Sequence, residues 1–228
     1  MGISYCTNFE ELETKIVACK LCPRLVHYRQ TVLPTVAHEN EIHWRKPVPG
    51  FGDLNARVLI LGLAPSPRGG NRTGRIFTGD QTGKFLFRLL YEEGFANQPE
   101  GISRTDGLTL RDCYLTASVK CTPPQHRPLP SEFSHCSGYF ANEFFLLKKV
   151  QCVLALGKDA FETYLDFLEI EGKIDKPFPK FAHGVEVCFP NWPKLYASYH
   201  PTPQNVNTKK LTAAMFSTLL RKIKQDLV

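Results

Sequence analysis

The sequence predicts an α/β protein: a three-layer α/β/α sandwich around a central, mostly parallel sheet of four strands. Four short segments are apolar almost without interruption, or rich in β-branched and aromatic residues: 57–63, 113–119, 151–156 and 194–199. Continuous apolarity indicates strands that are buried on both faces, as in parallel sheets covered by helices. Helical patterns lie between the segments, and this alternation is typical of right-handed crossover connections.

The first predicted helix covers about residues 8–18. Thr-Asn-Phe-Glu at 7–10 has the pattern of a capping box, in which a hydroxyl and a carboxylate each satisfy a free amide at the helix start. Apolar residues then recur at helical spacing (Phe9, Leu12 and Ile16). This helix delivers Cys19 and Cys22 into the turn that follows. Residues 33–56, with scattered Pro and Gly, predict an irregular segment rather than a linker between domains.

Further helices are predicted at about 84–93, 132–150 and 158–169, and a last one begins at about Thr208. Residues 172–193 are rich in Pro and aromatic residues and favour a hairpin. The chain has 228 residues and shows no internal repeat or low-complexity tract. It therefore predicts one domain over residues 1–228, with an N-terminal helical segment that carries cysteines.

The composition excludes several classes of protein. With 43% hydrophobic and 22% charged residues, the chain is not disordered, collagen-like or a coiled coil. The 28 Lys and Arg exceed the 22 Asp and Glu by six, a mild preference for phosphate-bearing partners. No apolar run reaches the length of a membrane span. Acidic residues at 10, 11 and 13 stand where a signal peptide would have its apolar region, so we expect an intracellular protein.

Eight cysteines in such a protein favour metal ligands, catalytic groups or core residues over disulfides. Cys19 and Cys22 are separated by two residues, and Cys121 and Cys136 by fourteen. These four form a plausible closed four-thiolate site, although spacing alone does not separate zinc from a [4Fe–4S] cluster. The other four are interpreted as small buried hydrophobic residues: Cys6, Cys113, Cys152 and Cys188.

Three polar loops follow predicted strands, at 62–80, 120–124 and 200–205. Ligands bind outside the carboxyl ends of strands in open parallel sheets, so the three loops should share one rim. The first loop holds five glycines and three arginines, which is typical of a backbone that approaches a ligand closely. It has neither the Gly-Lys-Ser/Thr of a phosphate-binding loop nor a dinucleotide fingerprint. We therefore take this rim as the candidate site.

Three residues of these loops have alternative interpretations. Phe77 either pins its loop to the core or forms a stacking platform for a planar ring. Asp80 either caps the helix that begins near residue 82 or holds a carboxylate at the rim. His200, at the end of a predicted central strand, favours a site, where a neutral imidazole can donate one hydrogen bond to a carbonyl that gains negative charge.

Taken together, the motifs resemble the iron–sulfur uracil-DNA glycosylases, within them the group called family 5 or type b. The matching blocks are Gly-Leu-Ala-Pro at 62–65, Gly-Gly-Asn-Arg-Thr-Gly-Arg at 69–75, Phe-Thr-Gly-Asp at 77–80, Cys-Lys-Leu-Cys-Pro-Arg-Leu at 19–25, Val-Lys-Cys-Thr-Pro-Pro at 119–124 and His-Pro at 200–201. The resemblance extends from about residue 10 to the C-terminal helix.

This resemblance implies DNA repair by hydrolysis of the N-glycosidic bond of uracil, with tolerance for other deaminated bases such as hypoxanthine. It implies a structural [4Fe–4S] cluster on Cys19, Cys22, Cys121 and Cys136. It further implies a monomer with no membrane association, in the cytoplasm of a prokaryote and active at its nucleoid.

By the same resemblance, Phe77 stacks on the base and His200 donates to its O2 atom. Backbone amides at Gly62, Leu63 and Ala64 contact the base edge, and Asp80 acts on the water and sugar side. The pocket mouth, or the DNA phosphates, would be held by Asn71, Arg72 and Arg75.

Three positions depart from the family pattern. Ser66-Pro67-Arg68 replace two small residues and a His, and Ala117 stands where relatives often have Asn. The turn at 202–205 offers no large apolar side chain to fill the stack of a flipped base. Two alternatives remain: a related glycosylase with a different base preference, and a non-catalytic protein of the same fold that binds damaged DNA.

Overall fold

The computed structural model describes residues 5–227, which form eight helices and a six-stranded mixed sheet. The strands are β1 (Phe51–Gly52), β2 (Val58–Gly62), β3 (Cys113–Ala117), β4 (Cys152–Leu156), β5 (Glu186–Phe189) and β6 (Trp192–Ser198). Their order in the sheet is β1-β3-β2-β4-β6-β5.

The four predicted strands are confirmed as the parallel centre of this sheet. β2 pairs in parallel with β3 on one side and β4 on the other, and β4 pairs in parallel with β6. Every residue of β2, β3 and β4 is buried, as continuous apolar strands require. The predicted number of strands was wrong, because β1 and β5 add antiparallel edges to β3 and β6.

The helices are α1 (Phe9–Ala18), α2 (Pro23–Thr31), α3 (Gly70–Thr73), α4 (Gln81–Glu92), α5 (Pro130–Leu146), α6 (Lys158–Ile170), α7 (Pro203–Asn207) and α8 (Ala213–Asp226). Alternate residues of β2 point to opposite faces: Val58 and Ile60 pack among side chains of α4 and α8, and Leu59 and Leu61 among those of α5 and α6. Helices thus cover both faces of the sheet, which confirms the predicted sandwich.

Two helix boundaries differ from the sequence prediction. The N-cap of α1 is Asn8, whose side chain accepts from the Glu11 amide at 2.9 Å, while the Glu11 carboxylate accepts from the Thr7 amide at 2.8 Å. The N-cap is thus displaced by one residue, because Asn is at least as good an N-cap as Thr. The Glu11 carboxylate bonds the residue before the N-cap, so the predicted capping box was wrong. The last helix does not run from Thr208: α7 ends at Asn207, and Thr212 caps a separate α8 by accepting from the Met215 amide.

The N-terminal helix is attached to the sandwich through α5. Leu12 and Ile16 pack with Tyr139 of α5, and the Tyr139 hydroxyl donates to the backbone carbonyl of Lys15. Within residues 5–227, no helix is both long and apolar enough to cross a lipid bilayer.

Candidate functional site

A cleft of about 820 Å³ lies at the carboxyl ends of the parallel strands, where the three polar loops meet. Leu63, Ala64, Phe77, Asp80 and His200 all line it. The structure thus brings together residues from the loop after β2 and the turn after β6, as expected from the topology. Gly62 lies beneath the cleft, at the end of β2.

Phe77 is held against the end of β2 by two glycines. A Cβ atom on Gly62 would lie 2.5 Å from the Phe77 ring, and one on Gly83 would overlap the Phe77 carbonyl. Phe77 itself has φ 53°, in the left-handed region that bulky residues rarely adopt. Its ring is 7% exposed and belongs to the core, yet it also faces the cleft. The structural interpretation of Phe77 is therefore confirmed, and its position at the cleft leaves the stacking role as a prediction.

Asp80 likewise combines its two interpretations. One carboxylate oxygen accepts from the Gly83 amide at 2.8 Å and caps α4. The other accepts a short hydrogen bond from the Ser66 hydroxyl, and the Ser66 oxygen in turn accepts from the Gly69 amide at 2.9 Å. The carboxylate is thus fixed in position at the cleft wall. Ser66, noted in the sequence only as a departure from the family pattern, orients it.

His200 is a neutral imidazole at physiological pH. Burial lowers the pKa of His200 to about 4; the negative charge of Asp80 opposes this decrease, and His126 adds to it. Its Nδ1 atom is buried and has no hydrogen-bond partner among the described residues. The turn is fixed by its backbone, since the His200 carbonyl accepts from the Asn205 side chain and from the Thr202 amide, both at 2.8 Å. The imidazole ring lies 6.4 Å from the Phe77 ring.

The structure places Asn71, Arg72 and Arg75 away from the cleft lining. Arg75 is buried and bonds both oxygens of Asp106, at 2.8 and 2.7 Å. Arg72 pairs with Glu41 at 2.7 Å and donates to the carbonyls of residues 68 and 79. These side chains attach the loop to other parts of the chain through ion pairs and hydrogen bonds. A loop with so many glycines has few apolar side chains that could attach it by burial.

Sequence reasoning missed one wall of the cleft. Tyr28, Val32 and Leu33, at the end of α2, line it. Leu33 is 84% exposed at this wall. Apolar residues recur only weakly at helical spacing in α2, so periodicity did not predict this helix. Pro23, directly after Cys22, could have predicted it, because proline is common at the first position of a helix.

The cysteines at 19, 22, 121 and 136 line a second, small cavity beside Leu25 and Arg29. The Arg29 guanidinium donates to Cys121 Sγ at 2.9 Å, and Cys22 Sγ lies 3.3 Å from His135 Nδ1. Burial raises the pKa of the Cys136 thiol to about 12 and that of Cys22 to about 11. No group of three or more His, Cys, Asp or Glu side chains among residues 5–227 is arranged to hold a metal ion.

A buried ion pair anchors the loop that carries Cys121. Lys120 Nζ lies 2.7 Å from Glu143 Oε2 of α5, and both groups are almost fully buried. Glu143 also accepts from the Thr116 hydroxyl at 2.6 Å and from the Gly50 amide at 3.2 Å. This network fixes the loop after β3 relative to the helix that carries Cys136.

Three of the four other cysteines are buried, as expected. Burial raises the pKa of the Cys113 thiol strongly and that of Cys152 to about 12, so both are inert thiols of the core. Cys6 is also buried. The prediction was wrong for Cys188, which is exposed because β5 is an edge strand with one face towards solvent.

Comparison with known proteins gives one consistent result. The family model described as the uracil DNA glycosylase superfamily matches residues 49–224. A type-5 uracil-DNA glycosylase of Pyrobaculum aerophilum is 42% identical over 218 residues, which cover 96% of this chain and 93% of the relative. One of Thermus thermophilus is 43% identical over 211 residues, or 92% and 94% of the two chains.

More distant relatives agree. A type-4 uracil-DNA glycosylase of Archaeoglobus fulgidus is 24% identical over 198 residues, covering 85% of this chain and 81% of the relative. The resemblance inferred from the motifs is confirmed: this chain belongs to the uracil DNA glycosylase superfamily, and within it to the type-5 family.

Proposed function

We propose that the protein repairs DNA by hydrolysing the N-glycosidic bond of uracil, which leaves an abasic site. One observation carries the proposal: Phe77, Asp80 and a neutral His200 line a single cleft in a chain of the type-5 family. The target base lies inside a duplex, so it is flipped out of the stack before it enters the cleft.

The cleft supplies what this reaction needs on both sides of the bond. As the bond breaks, the base gains negative charge and the sugar becomes oxocarbenium-like. His200 donates a hydrogen bond to the base carbonyl; with its pKa at about 4, it does so as a neutral group and gives up no proton. Asp80, oriented by Ser66 and the Gly83 amide, stabilises the sugar and positions the water.

The base itself stacks on the side of the Phe77 ring that faces the cleft, and the other side of the ring packs against Gly62 at the end of β2. The backbone at Gly62, Leu63 and Ala64 offers polar groups to its edge, and the absence of a side chain on Gly62 leaves room for the Phe77 ring. The wall formed by α2 restricts water, which strengthens the electrostatic interactions in the cleft.

The first experiment is incubation with a uracil-containing duplex, followed by alkaline cleavage at abasic sites. We expect strand cleavage by the wild-type protein. His200→Ala should lower single-turnover excision about a hundred- to a thousandfold, a typical effect of losing one such donor. Asp80→Asn should also slow the chemical step, whereas Asp175→Asn, which alters an exposed carboxylate outside the cleft lining, should leave it unchanged. Binding of uracil DNA without release of base would instead favour the non-catalytic damage-binding protein.

We also propose broad base selectivity. Ala117 ends β3 beside Gly62, so this position offers a methyl group where an Asn would offer an amide to the base edge. A panel of uracil, hypoxanthine and xanthine oligonucleotides tests this. Ala117→Asn should narrow the range towards uracil, and a wild-type protein that is already restricted to uracil would contradict it.

We further propose a [4Fe–4S] cluster on Cys19, Cys22, Cys121 and Cys136. An all-thiolate set around one cavity fits such a cluster. Four thiolates on one zinc ion, with bonds of about 2.3 Å, would stand within roughly 4 Å of one another. A [4Fe–4S] cluster also takes four thiolate ligands, and the resemblance to the iron–sulfur uracil-DNA glycosylases favours it over zinc here.

When bound, the cluster would have a structural role. It would link the turn between α1 and α2 to the loop after β3 and to α5. The purified protein should be yellow-brown with about four irons per chain. Cys121→Ser should lower both iron content and stability, because metal binding and folding are coupled. Colourless protein with stoichiometric zinc would contradict the proposal.

The remaining proposals concern the whole chain. All described strands belong to one sheet, and α1 packs on a helix that covers it, which supports a single domain over residues 1–228. The resemblance to the family implies a monomer, and light scattering tests it. The prokaryotic relatives support activity in the cytoplasm, at the nucleoid, and imaging of a tagged protein tests that location.

A further inference from the structure

Arg29 of α2 lies between the cysteine cavity and the cleft. Its side chain is 4% exposed. One terminal nitrogen donates to Cys121 Sγ at 2.9 Å, and the other donates to the Cys19 carbonyl at 3.2 Å. The guanidinium thus contacts two of the segments that carry the proposed cluster ligands.

The backbone of the same residue contacts the glycine-rich loop. The Asn71 side-chain amide donates to the Arg29 carbonyl at 3.1 Å, and Asn71 is 1% exposed. The Asn71 backbone amide in turn donates to the carbonyl of Ser66 at 3.0 Å. Since Ser66 orients the Asp80 carboxylate, a continuous set of hydrogen bonds leads from Cys121 to the cleft.

The charge of Arg29 requires an anionic partner. No carboxylate forms an ion pair with it within the described residues, and its Nε atom has no hydrogen-bond partner there. A buried guanidinium is costly unless it is paired. Among residues 5–227, the hydrogen-bond partners of the guanidinium are the Cys19 carbonyl and the sulfur of Cys121, and the sulfur is anionic when it ligates a metal.

We propose that Arg29 is a positioning residue that couples the cluster to the cleft. Its guanidinium neutralises charge on the Cys121 thiolate, and its carbonyl fixes Asn71 and hence the Ser66–Asp80 pair. The inference rests on the proposed cluster and on the proposed excision activity. Hydrogen bonds to cluster sulfurs help to set the reduction potential, so Arg29 should raise the potential as well as retain the iron.

The test compares Arg29→Met and Arg29→Lys with Arg88→Met as the control. Arg88 is exposed on α4, where it pairs with Glu92 of the same helix, and it lines neither the cysteine cavity nor the cleft. We expect Arg29→Met to lower the reduction potential in voltammetry and to speed iron loss to a chelator about ten- to a hundredfold. It should also slow single-turnover excision at saturating DNA. Arg29→Lys retains the charge and should restore part of each property, and Arg88→Met should match the wild type.

Asn71→Leu separates the two halves of the inference. It removes the bond to the Arg29 carbonyl but leaves the guanidinium on Cys121. Excision should fall while potential and iron retention stay at wild-type values. The proposal is overturned if Arg29→Met keeps the wild-type iron retention and reduction potential. It is also overturned if Arg29→Met or Asn71→Leu excises uracil at the wild-type rate. A wild-type protein without iron or without excision would instead contradict the proposed function. Circular dichroism shows whether Arg29→Lys is folded, so that a loss of function is not simply a failure to fold.

Discussion

At the scale of single residues, the cleft depends on conformations and protonation states that neighbouring groups impose. Phe77 adopts its left-handed backbone because Gly62 and Gly83 leave space that a Cβ would occupy. His200 stays neutral because burial lowers the pKa of its imidazole to about 4. Asp80 is held by an amide and a hydroxyl rather than by a cation. Each group is thus already oriented for the role that we propose for it, which would reduce the reorganisation that the reaction requires.

Phe77→Leu tests whether the aromatic face matters. Leucine retains most of the buried volume but not the planar ring, so excision should fall by about 5- to 150-fold, the equivalent of 1–3 kcal/mol of stacking. Phe85→Leu is the control, since Phe85 belongs to the same core cluster but does not line the cleft. Both variants should lower the melting temperature by similar amounts. Equal excision by the two variants would leave Phe77 with a structural role only.

The buried imidazole predicts a pH dependence of stability. His200 has a folded pKa of about 4 against about 6.5 when unfolded, so the unfolded chain binds more protons between these values. Stability should therefore fall as the pH drops from about 6.5 to 4, with about 3 kcal/mol lost to this residue. Denaturant titrations across this range should give a shallower dependence for His200→Asn. His27→Asn, at an exposed site, should retain the wild-type slope, and an equally steep loss for His200→Asn would contradict the assignment.

At the scale of elements, helix α4 and the loop before it position the cleft residues together. Asp80 ends the loop and caps the helix, and Gly83 in the first turn packs directly under Phe77. The first turn of α4 therefore fixes an acidic group and an aromatic ring in one short stretch of chain. A change in this turn should affect both at once.

Gly83→Ala should displace Phe77, because the new methyl group would overlap its carbonyl oxygen. Backbone atoms cannot move aside as a flexible side chain can, so we expect a loss of stability of about 1–3 kcal/mol and a larger loss of excision. Lys84→Ala, at an exposed position of the same helix, should change neither. Thermal melting and single-turnover excision measure both effects, and a Gly83→Ala protein with wild-type activity would show that the turn can relax.

The elements that sequence could predict are those with a continuous pattern. The four parallel strands follow from uninterrupted burial, and the shared rim of Phe77, Asp80 and His200 follows from their topology. A strand of two residues, such as β1, has no detectable pattern. The contacts of Arg29 and Arg75 could not be predicted either, because their partners lie far away in sequence and a charged side chain is expected to be exposed to solvent.

At the scale of the whole molecule, Lys and Arg exceed Asp and Glu by only six, so DNA binding depends on where the exposed cations lie. Arg72 and Arg75 form ion pairs with Glu41 and Asp106. The exposed cations of the cleft lining are therefore Arg68 and Lys158. Lys149 precedes β4 and therefore lies near the amino ends of the parallel strands, opposite the cleft. DNA that approaches the carboxyl ends of the strands meets the first two cations and not the third.

Binding to undamaged duplex should therefore weaken with salt, with a log–log slope of about −3 if three to four phosphates are neutralised. Arg68→Gln should make the slope shallower by about 0.9, the value of one lost phosphate contact. Lys149→Gln is the control and should leave the slope unchanged. Fluorescence anisotropy at several salt concentrations measures each slope, and identical slopes for the two variants would remove Arg68 from the DNA contact surface.

The two edge strands of the sheet, β1 and β5, affect how the protein behaves at high concentration. An open edge strand is a template on which a second molecule can add its own strand, the first step of fibril growth. Here β1 offers only two residues for such pairing, and the register of β5 shifts between Val187 and Phe189. Neither edge presents a long, regular row of free amides and carbonyls. The molecule is thereby protected against edge-to-edge polymerisation, and it should remain dispersed at the high concentrations that crystallisation and spectroscopy require.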